Sequence, residues 1–453
     1  MKKSPITAAV LAVALGTLAG CSTADPDGAT TGGTNGDVTT ISYGLWDSNQ
    51  LPAYQQCATD FAAANPQYKV DVEQIGWDDY WSKITTGFVS GANYDVFTSH
   101  VAFYPQFQSN GQVLPLDDYI ARDGLDMSIY QDGLVDLWKG PDGKQYGLPK
   151  DFDTVALFYN AQMTEAAGYT TEELNSLTWN PQDGGTYEEL IASLTIDKNG
   201  VRGNEPGFDK RNVETYGLWM ENSGGADGQT QWSFLTATLG WTQTDGVWAT
   251  SYNYDDERFA ATIGWWYGLV EKGYMPSFAA QQGISWADQL IAGNAAIVPN
   301  GSWMTGHVFG AVSDTFTPGV AATPVGPNGS NASMFNGLAD NISKTAKNPD
   351  AAWEWVKYLG SAACQDVVGD AAVVFPAIST STDKAIAAFE AKGVDVTAFT
   401  QHVENGTTVL YPITDKKSDV NAIMTPAMEG IMSGAAGTDS LVRANEQVNQ
   451  LFE

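Results

Sequence analysis

The chain has 453 residues, with 53 acidic against 22 basic side chains and a formal net charge of -31. A surface this acidic repels phosphate backbones and anionic lipid heads, which argues against a nucleic-acid partner. The length exceeds what one hydrophobic core usually supports, so two lobes are expected.

Lys2 and Lys3 precede an apolar stretch from Ile6 to Ala19, and the stretch runs into Leu18, Ala19, Gly20 and Cys21. It is shorter than the roughly 20 residues of a spanning helix, so residues 1–20 read as a cleaved signal peptide. "LAGC" resembles the lipobox of bacterial lipoproteins, which implies lipidation of Cys21 and cleavage before it. The alternative is an ordinary signal peptide with an incidental Cys21. Without residues 1–20, which hold two lysines and no acid, the charge becomes -33. Residues 21–38 are small and polar without an apolar period, the composition of a flexible tether. No later segment is apolar for long enough to cross a bilayer.

The body opens with a strand through Ile41 to Leu45 that breaks at Trp46 and Asp47. A helix follows from Leu51 to Ala64, stopped by Asn65-Pro66. "YKVDVEQI" alternates as a strand does, and "WDDYWSKITTGFVSG" sets Trp81, Ile84 and Phe88 on one helical face with Gly91 just past its end. "YDVFT" is the next strand. Strand, helix, strand, helix, strand is a doubly wound α/β unit, in which ligands gather beyond the carboxyl ends of the strands. Trp46-Asp47 and Ser99-His100 occupy two of those ends. Asp47 as a helix cap and His100 as a satisfied loop histidine are the plainer alternatives.

Residues 117–142 read as helical and acidic, and "KGPDGKQYG" as a hairpin leading into "GLPKDFDTVALFYN". In that stretch Val155 to Tyr159 form a buried strand with Lys150, Asp151 and Asp153 at its mouth. Alternation puts Asp151 and Asp153 on one side and turns Lys150 away. "TYEELIASL" starts a helix capped by Thr186. Eight of the 15 tryptophans lie between Trp219 and Trp303, most of them expected in the core. "SWADQLIAGNAAIVPNGSW" gives a helix, a strand through Ala295 to Val298, and a loop with Gly301, Ser302 and Trp303. Asn348 caps a further helix that has Pro349 in its first turn.

Cys57 and Cys364 remain as an even pair in an exported chain; a disulfide is predicted, with two buried thiols as the alternative. Their spacing fits no zinc pattern, and His100, His307 and His402 form no local metal motif. Nucleotide-binding glycine signatures and the G-x-S-x-G nucleophile elbow are missing. No cofactor is expected.

"ISYGLWDS", "VDVEQIGWDDYWSKITTGFVSGANYDVF", "YGLPKDFDTVALFYN", "LIAGNAAIVPNGSW", "GVAATPVGPNG" and "NPDAAWEWVKYL" with "VVFPA" resemble, in order, the family 1 extracellular solute-binding proteins of carbohydrate ABC importers (maltose-binding-protein-like). The resemblance covers nearly all of the chain from Thr39. It implies a periplasmic-binding-protein-like fold: two doubly wound α/β lobes joined by a three-strand hinge, with a ligand cleft between them. Lobe one is then 39–147 plus 322–374, and lobe two 148–321 plus 375–453. It also brings Cys57 and Cys364 into one lobe.

The implied function is a lipid-anchored, monomeric, non-enzymatic receptor on the extracellular face of the membrane. It would capture an oligosaccharide and deliver it to ABC permease subunits. A cell-attached carbohydrate-active enzyme such as a glycoside hydrolase is the rival. A pyranose offers C–H groups to an aromatic face and hydroxyls to fixed polar partners. Trp46 and Trp303 are therefore candidate platforms, and Asp47, Asp151, Asp153 and Lys150 candidate hydroxyl partners. His100, Asn222, Gln229 and Trp232 join them because loops at these positions line the cleft in relatives.

Overall fold

The computed structural model describes residues 38–221 and 225–453. The expected cleavage and lipidation at Cys21 and the candidate Asn222 lie outside the described residues.

Among the described residues twelve strands, β1 (Thr39–Leu45), β2 (Tyr68–Gln74), β3 (Val96–His100), β4 (Gly147–Asp153), β5 (Val155–Asn160), β6 (Ile196–Asp197), β7 (Val213–Leu218), β8 (Ala295–Gly301), β9 (Pro318–Ala321), β10 (Ser333–Ile342), β11 (Phe375–Pro376) and β12 (Thr408–Leu410), form two sheets. The larger runs β11-β4-β10-β3-β1-β2, with β12 on β10; the smaller runs β6-β7-β8-β5-β9. β1 lies between β2 and β3, parallel to both, so the doubly wound start of the chain is observed. β10 then inserts antiparallel between β3 and β4.

Local signals explain the helices of this first unit. The helix Leu51–Ala64 stops at Asn65. The helix Trp77–Ser90 buries Trp81 and Ile84 and ends on Gly91 at φ 70°, a left-handed turn that glycine adopts without a Cβ clash. Asn348 accepts a hydrogen bond from the Ala351 amide, capping the helix Pro349–Leu359 as its sequence predicts.

Elsewhere the sequence reading needs correction. Residues 117–142 are not one helix: Asp117–Asp123 ends on Gly124 at φ 63°, and only 3-10 turns at Met127–Ile129 and Asp136–Trp138 follow. Thr186 is not the cap of the helix Gly185–Leu194. Gly184 holds that position at φ 76°, and the Thr186 hydroxyl accepts from the Thr178 amide at 2.8 Å. The strand expected to stop at Val298 runs on to Gly301, because β5 supplies partners out to Val155.

The stretch 147–160 is two strands in two sheets, separated by Thr154. Its alternation is broken where the β4–β10 register shifts between Leu338 and Ala339, which face Asp151 and Pro149. Lys150 is the extra residue of a β-bulge, so it does not turn away from Asp151 as strict alternation requires. Bulges re-aim side chains and recur beside functional sites.

Cys57, in the first helix, and Cys364, in the helix Ala362–Ala371, form a disulfide with their Cα atoms 5.3 Å apart. Among the described residues no helix is long and apolar enough to cross a membrane.

Candidate functional site

The carboxyl ends of β1, β2 and β3 carry an aromatic cluster. Trp46, half-buried directly after β1, meets Trp77 at 5.1 Å, Tyr80 at 5.4 Å, Trp81 at 5.4 Å and His100 at 6.4 Å between ring centroids. Next to it, Asp47 is also half-buried, and its Oδ1 accepts from the Asn49 amide at 2.7 Å. Burial raises the Asp47 pKa, while the backbone amides of Asn49 and Gln50 pull it back. At the end of β3, His100 Nδ1 accepts from the Ala102 amide at 3.0 Å. Burial, helped by the nearby Lys417 charge, lowers its pKa to about 3, so the ring is neutral and keeps Nε2–H as its donor.

β4 brings charge into the interior. Lys150 Nζ donates to Tyr43 Oη and Thr98 Oγ1, each at 2.7 Å, and lies 3.7 Å above the Tyr54 ring centroid. Both hydroxyls donate onward to Asp340 Oδ1, at 2.8 and 3.1 Å, and Lys150 itself stands 3.8 Å from that oxygen. The ammonium is thus neutralised by Asp340 partly through two hydroxyls. Burial lowers its pKa against the raising effect of Asp340, Asp151 and Asp47. This candidate is committed to protein partners and acts as a support.

The other two carboxylates of β4 are acceptor-rich. Asp153 Oδ1 accepts from Ser302 Oγ at 2.6 Å, and the Trp303 amide also donates to this carboxylate. Burial pushes its pKa up to about 7 despite those two donors. Asp151 is fully buried, and neither oxygen has a hydrogen-bond partner among the described residues. Its pKa is raised well above the carboxylate range, first by burial and then by the charge of Asp153, with Lys150 opposing. A buried acceptor left unpaired costs about 1–3 kcal/mol.

The second sheet contributes Trp303, in the turn after β8. A Cβ on Gly301 would stand 1.8 Å from the Trp303 ring, so glycine there lets the indole fold back over the strand end. Half-buried, Trp303 packs against the core cluster of the larger sheet, which contains Tyr43 and Tyr54. Tryptophan from one sheet therefore meets the cluster around Lys150 on the other.

Further contacts join the two sides. Tyr411 Oη and Lys417 Nζ both donate to buried Asp227, and the Tyr411 ring meets His100 at 5.3 Å. Trp248, at φ 58°, donates from Nε1 to the Lys139 carbonyl at 3.0 Å, with its ring 6.0 Å from that of Tyr104. A bulky residue in the left-handed region is strained, so these contacts hold a conformation the backbone disfavours. Ser418 Oγ donates to Gln106 Oε1 at 3.1 Å.

The structure brings Trp46, Asp47, His100, Lys150, Asp151, Asp153 and Trp303 into one neighbourhood. Trp232 is placed in a core cluster, its ring edge-on to Trp241 and Phe259 and its Nε1 donating to the Gly225 carbonyl at 3.1 Å. It also lines a cavity of about 240 Å³ that reaches Tyr411. Half-buried Gln229 accepts from Ser233 Oγ at its backbone carbonyl. Sequence reasoning missed Tyr54, Thr98 and Asp340, which orient Lys150, and Ser302, which holds Asp153. Only Ser302 lay in a motif that could have shown it. Among the described residues no group of His, Cys, Asp and Glu is arranged to hold a metal ion.

Two α/β sheets contributing to one polar, aromatic-walled site define a two-lobed binding protein of the periplasmic-binding-protein-like fold. The chain belongs to the bacterial extracellular solute-binding protein family, which it matches over residues 47–366. That is a family of binding proteins rather than enzymes. The maltodextrin-binding protein MdxE of Bacillus subtilis is 25% identical to it over 317 residues, 69% of this chain and 67% of that one. An ABC substrate-binding protein of Listeria monocytogenes, solved in complex with cycloalternan, has the same fold, with a TM-score of 0.76 at 20% identity over 92% of this chain and 99% of that one. UspC of M. tuberculosis superposes with a TM-score of 0.69 at 24% identity, over 91% of this chain and 100% of its own.

Proposed function

We propose that this protein is the carbohydrate receptor of an ABC importer, capturing an oligosaccharide between its lobes and passing it to permease subunits as a monomer. The observation that carries the reading is Asp151: a buried carboxylate with both oxygens unpaired, beside Asp153 and Asp47. Sugar hydroxyls are the donors such acceptors require, and charge-assisted hydrogen bonds contribute about 1.5–3 kcal/mol each. Trp46 and Trp303 offer apolar faces from the two sides. The maltodextrin- and cycloalternan-binding relatives add support for a saccharide.

The lobe division at 147/148, 321/322 and 374/375 is kept as part of this proposal. Its first two boundaries fall close to where the chain changes sheets, at Thr154 and between Ala321 and Ser333. Cys21 is proposed as the lipid anchor that holds the receptor at the outer membrane face; mass spectrometry of the membrane fraction would show the acylated residue. A glycan panel read by tryptophan fluorescence, with calorimetry on the hits, tests the ligand class. Binding without turnover supports a receptor, whereas no response to any saccharide refutes the carbohydrate reading.

A further inference from the structure

The sequence reading placed Trp81 on one helical face with Ile84 and Phe88 and gave Trp77 no role. In the structure Trp77 is 40% exposed, the most exposed tryptophan among the described residues. It opens the helix Trp77–Ser90 just beyond β2, at the same sheet edge as Trp46, Asp47 and His100. Helix geometry does not require an indole there, and its exposure runs against the burial of Trp81, four residues on.

The rings around Trp77 are all steeply inclined to it. Trp46, Trp81, His100 and Phe103 lie at 5.1, 5.4, 5.5 and 5.8 Å, with interplanar angles of 85°, 83°, 83° and 69°. Trp81 by contrast is stacked on Phe103 at 3.9 Å and 15°. Among the described residues no ring is stacked on Trp77; four inclined neighbours hold its plane, and its 40% exposure leaves part of the indole open to solvent. Exposure rises outward through the site, from fully buried Asp151, through half-buried Asp47 and Trp46, to Trp77.

We infer that Trp77 is the platform of an outer subsite, which stacks a sugar unit beyond the one held by Trp46 and the carboxylates and so selects longer chains over short ones. This rests on the carbohydrate reading above and adds ligand length to it. The fixed indole pays no ordering cost when a pyranose face settles on it, and its hydrophobic face exchanges water for C–H groups. Trp46 and Trp77 are in edge-to-face contact, 5.1 Å between centroids, so a chain held at Trp46 extends past Trp77 when it leaves the site on that side.

The test is calorimetry of wild type, Trp77→Ala and Trp77→Phe against α-linked glucooligosaccharides of increasing length, or against the homologous series of whichever saccharide a glycan array identifies. Wild type is expected to bind chains of three or four units at least tenfold more tightly than the disaccharide. In Trp77→Ala this length ratio falls toward one, and Trp77→Phe restores most of it. Thermal unfolding midpoints close to wild type show that the fold is retained. An unchanged length ratio in folded Trp77→Ala overturns the inference and leaves the exposed indole to a protein partner. No binding by wild type across the array defeats the carbohydrate reading itself, and the outer subsite with it.

Discussion

Replacing Asp151 by asparagine should weaken ligand binding and stabilise the empty protein at the same time. In the unliganded chain the carboxylate is fully buried, has no hydrogen-bond partner among the described residues, and feels the charges of Asp153, Asp340 and Asp47 against the single ammonium of Lys150. An amide has the same shape without the repulsion. At neutral pH the folded wild type must either hold a proton on this carboxyl or bury its charge, a cost the amide does not have and one worth about 1–2 kcal/mol, which for a body of this size is a rise of a few degrees in Tm. Donors from a bound ligand favour the ionised carboxylate, so in the complex two charge-assisted bonds become neutral ones, each weaker by about 1 kcal/mol or somewhat more. The loss of about 2–3 kcal/mol corresponds to a Kd roughly 30- to 150-fold higher. Scanning calorimetry of the free protein and titration with its saccharide give both numbers from one preparation. A variant that loses stability together with affinity would show that the carboxylate serves the fold, and unchanged affinity would remove it from the site.

Three other outcomes follow from the same geometry. Lys150→Met removes the cation that Asp340 faces and leaves that carboxylate buried and uncompensated, so unfolding in denaturant should show a loss of about 3–5 kcal/mol; an unaltered midpoint would mean the pair is not charged. Asp153 has its pKa raised to about 7, so the folded state holds the proton more tightly than the unfolded chain, whose value is about 3.9. Its stability contribution therefore falls as pH rises between those limits, and the advantage of Asp153→Asn over wild type should grow by about 2–4 kcal/mol from pH 4 to pH 7, then level off; a flat difference across that range would contradict it. Trp248→Ala deletes the bond to the Lys139 carbonyl and the contact with Tyr104. Small-angle scattering of the unliganded variant should show a larger radius of gyration, and affinity should drop by about 1–2 kcal/mol as closure becomes harder; superimposable scattering curves would exclude this role.

How much of this was legible in the sequence depended on how local each cause is. The strands and helices of residues 39–100 follow from period and punctuation, because Gly91, Asn65 and the Trp81/Ile84 face act within a few residues of themselves. Thr186 and residues 117–142 misled because glycines at positive φ, Gly184 and Gly124, reset the chain where a polar cap or an amphipathic run was the more visible signal. Lys150 is the instructive case. The sequence reading placed it with Asp151 and Asp153 at the mouth of a single strand, yet these residues form a strand of their own in the other sheet, and the direction of Lys150 is decided by β10, which shifts register almost 190 residues later at Leu338/Ala339. Tyr54 and Asp340 were hidden for the same reason: Tyr54 lies inside the helix from Leu51 to Ala64, the residues around Asp340 carried no motif, and only the sheet brings them to the ammonium.

The placement of β10 also constrains how the protein is made. Because β10 sits between β3 and β4, the larger sheet cannot close until residues 333–342 have joined it, after the strands of the smaller sheet from β5 to β9 have already been delivered. The disulfide comes later still, since Cys57 waits for Cys364 across 307 residues. During that interval the one other cysteine in the chain is Cys21. With Cys21 proposed as the acylated residue, the lipid would occupy the sole competing thiol before Cys57 meets its partner.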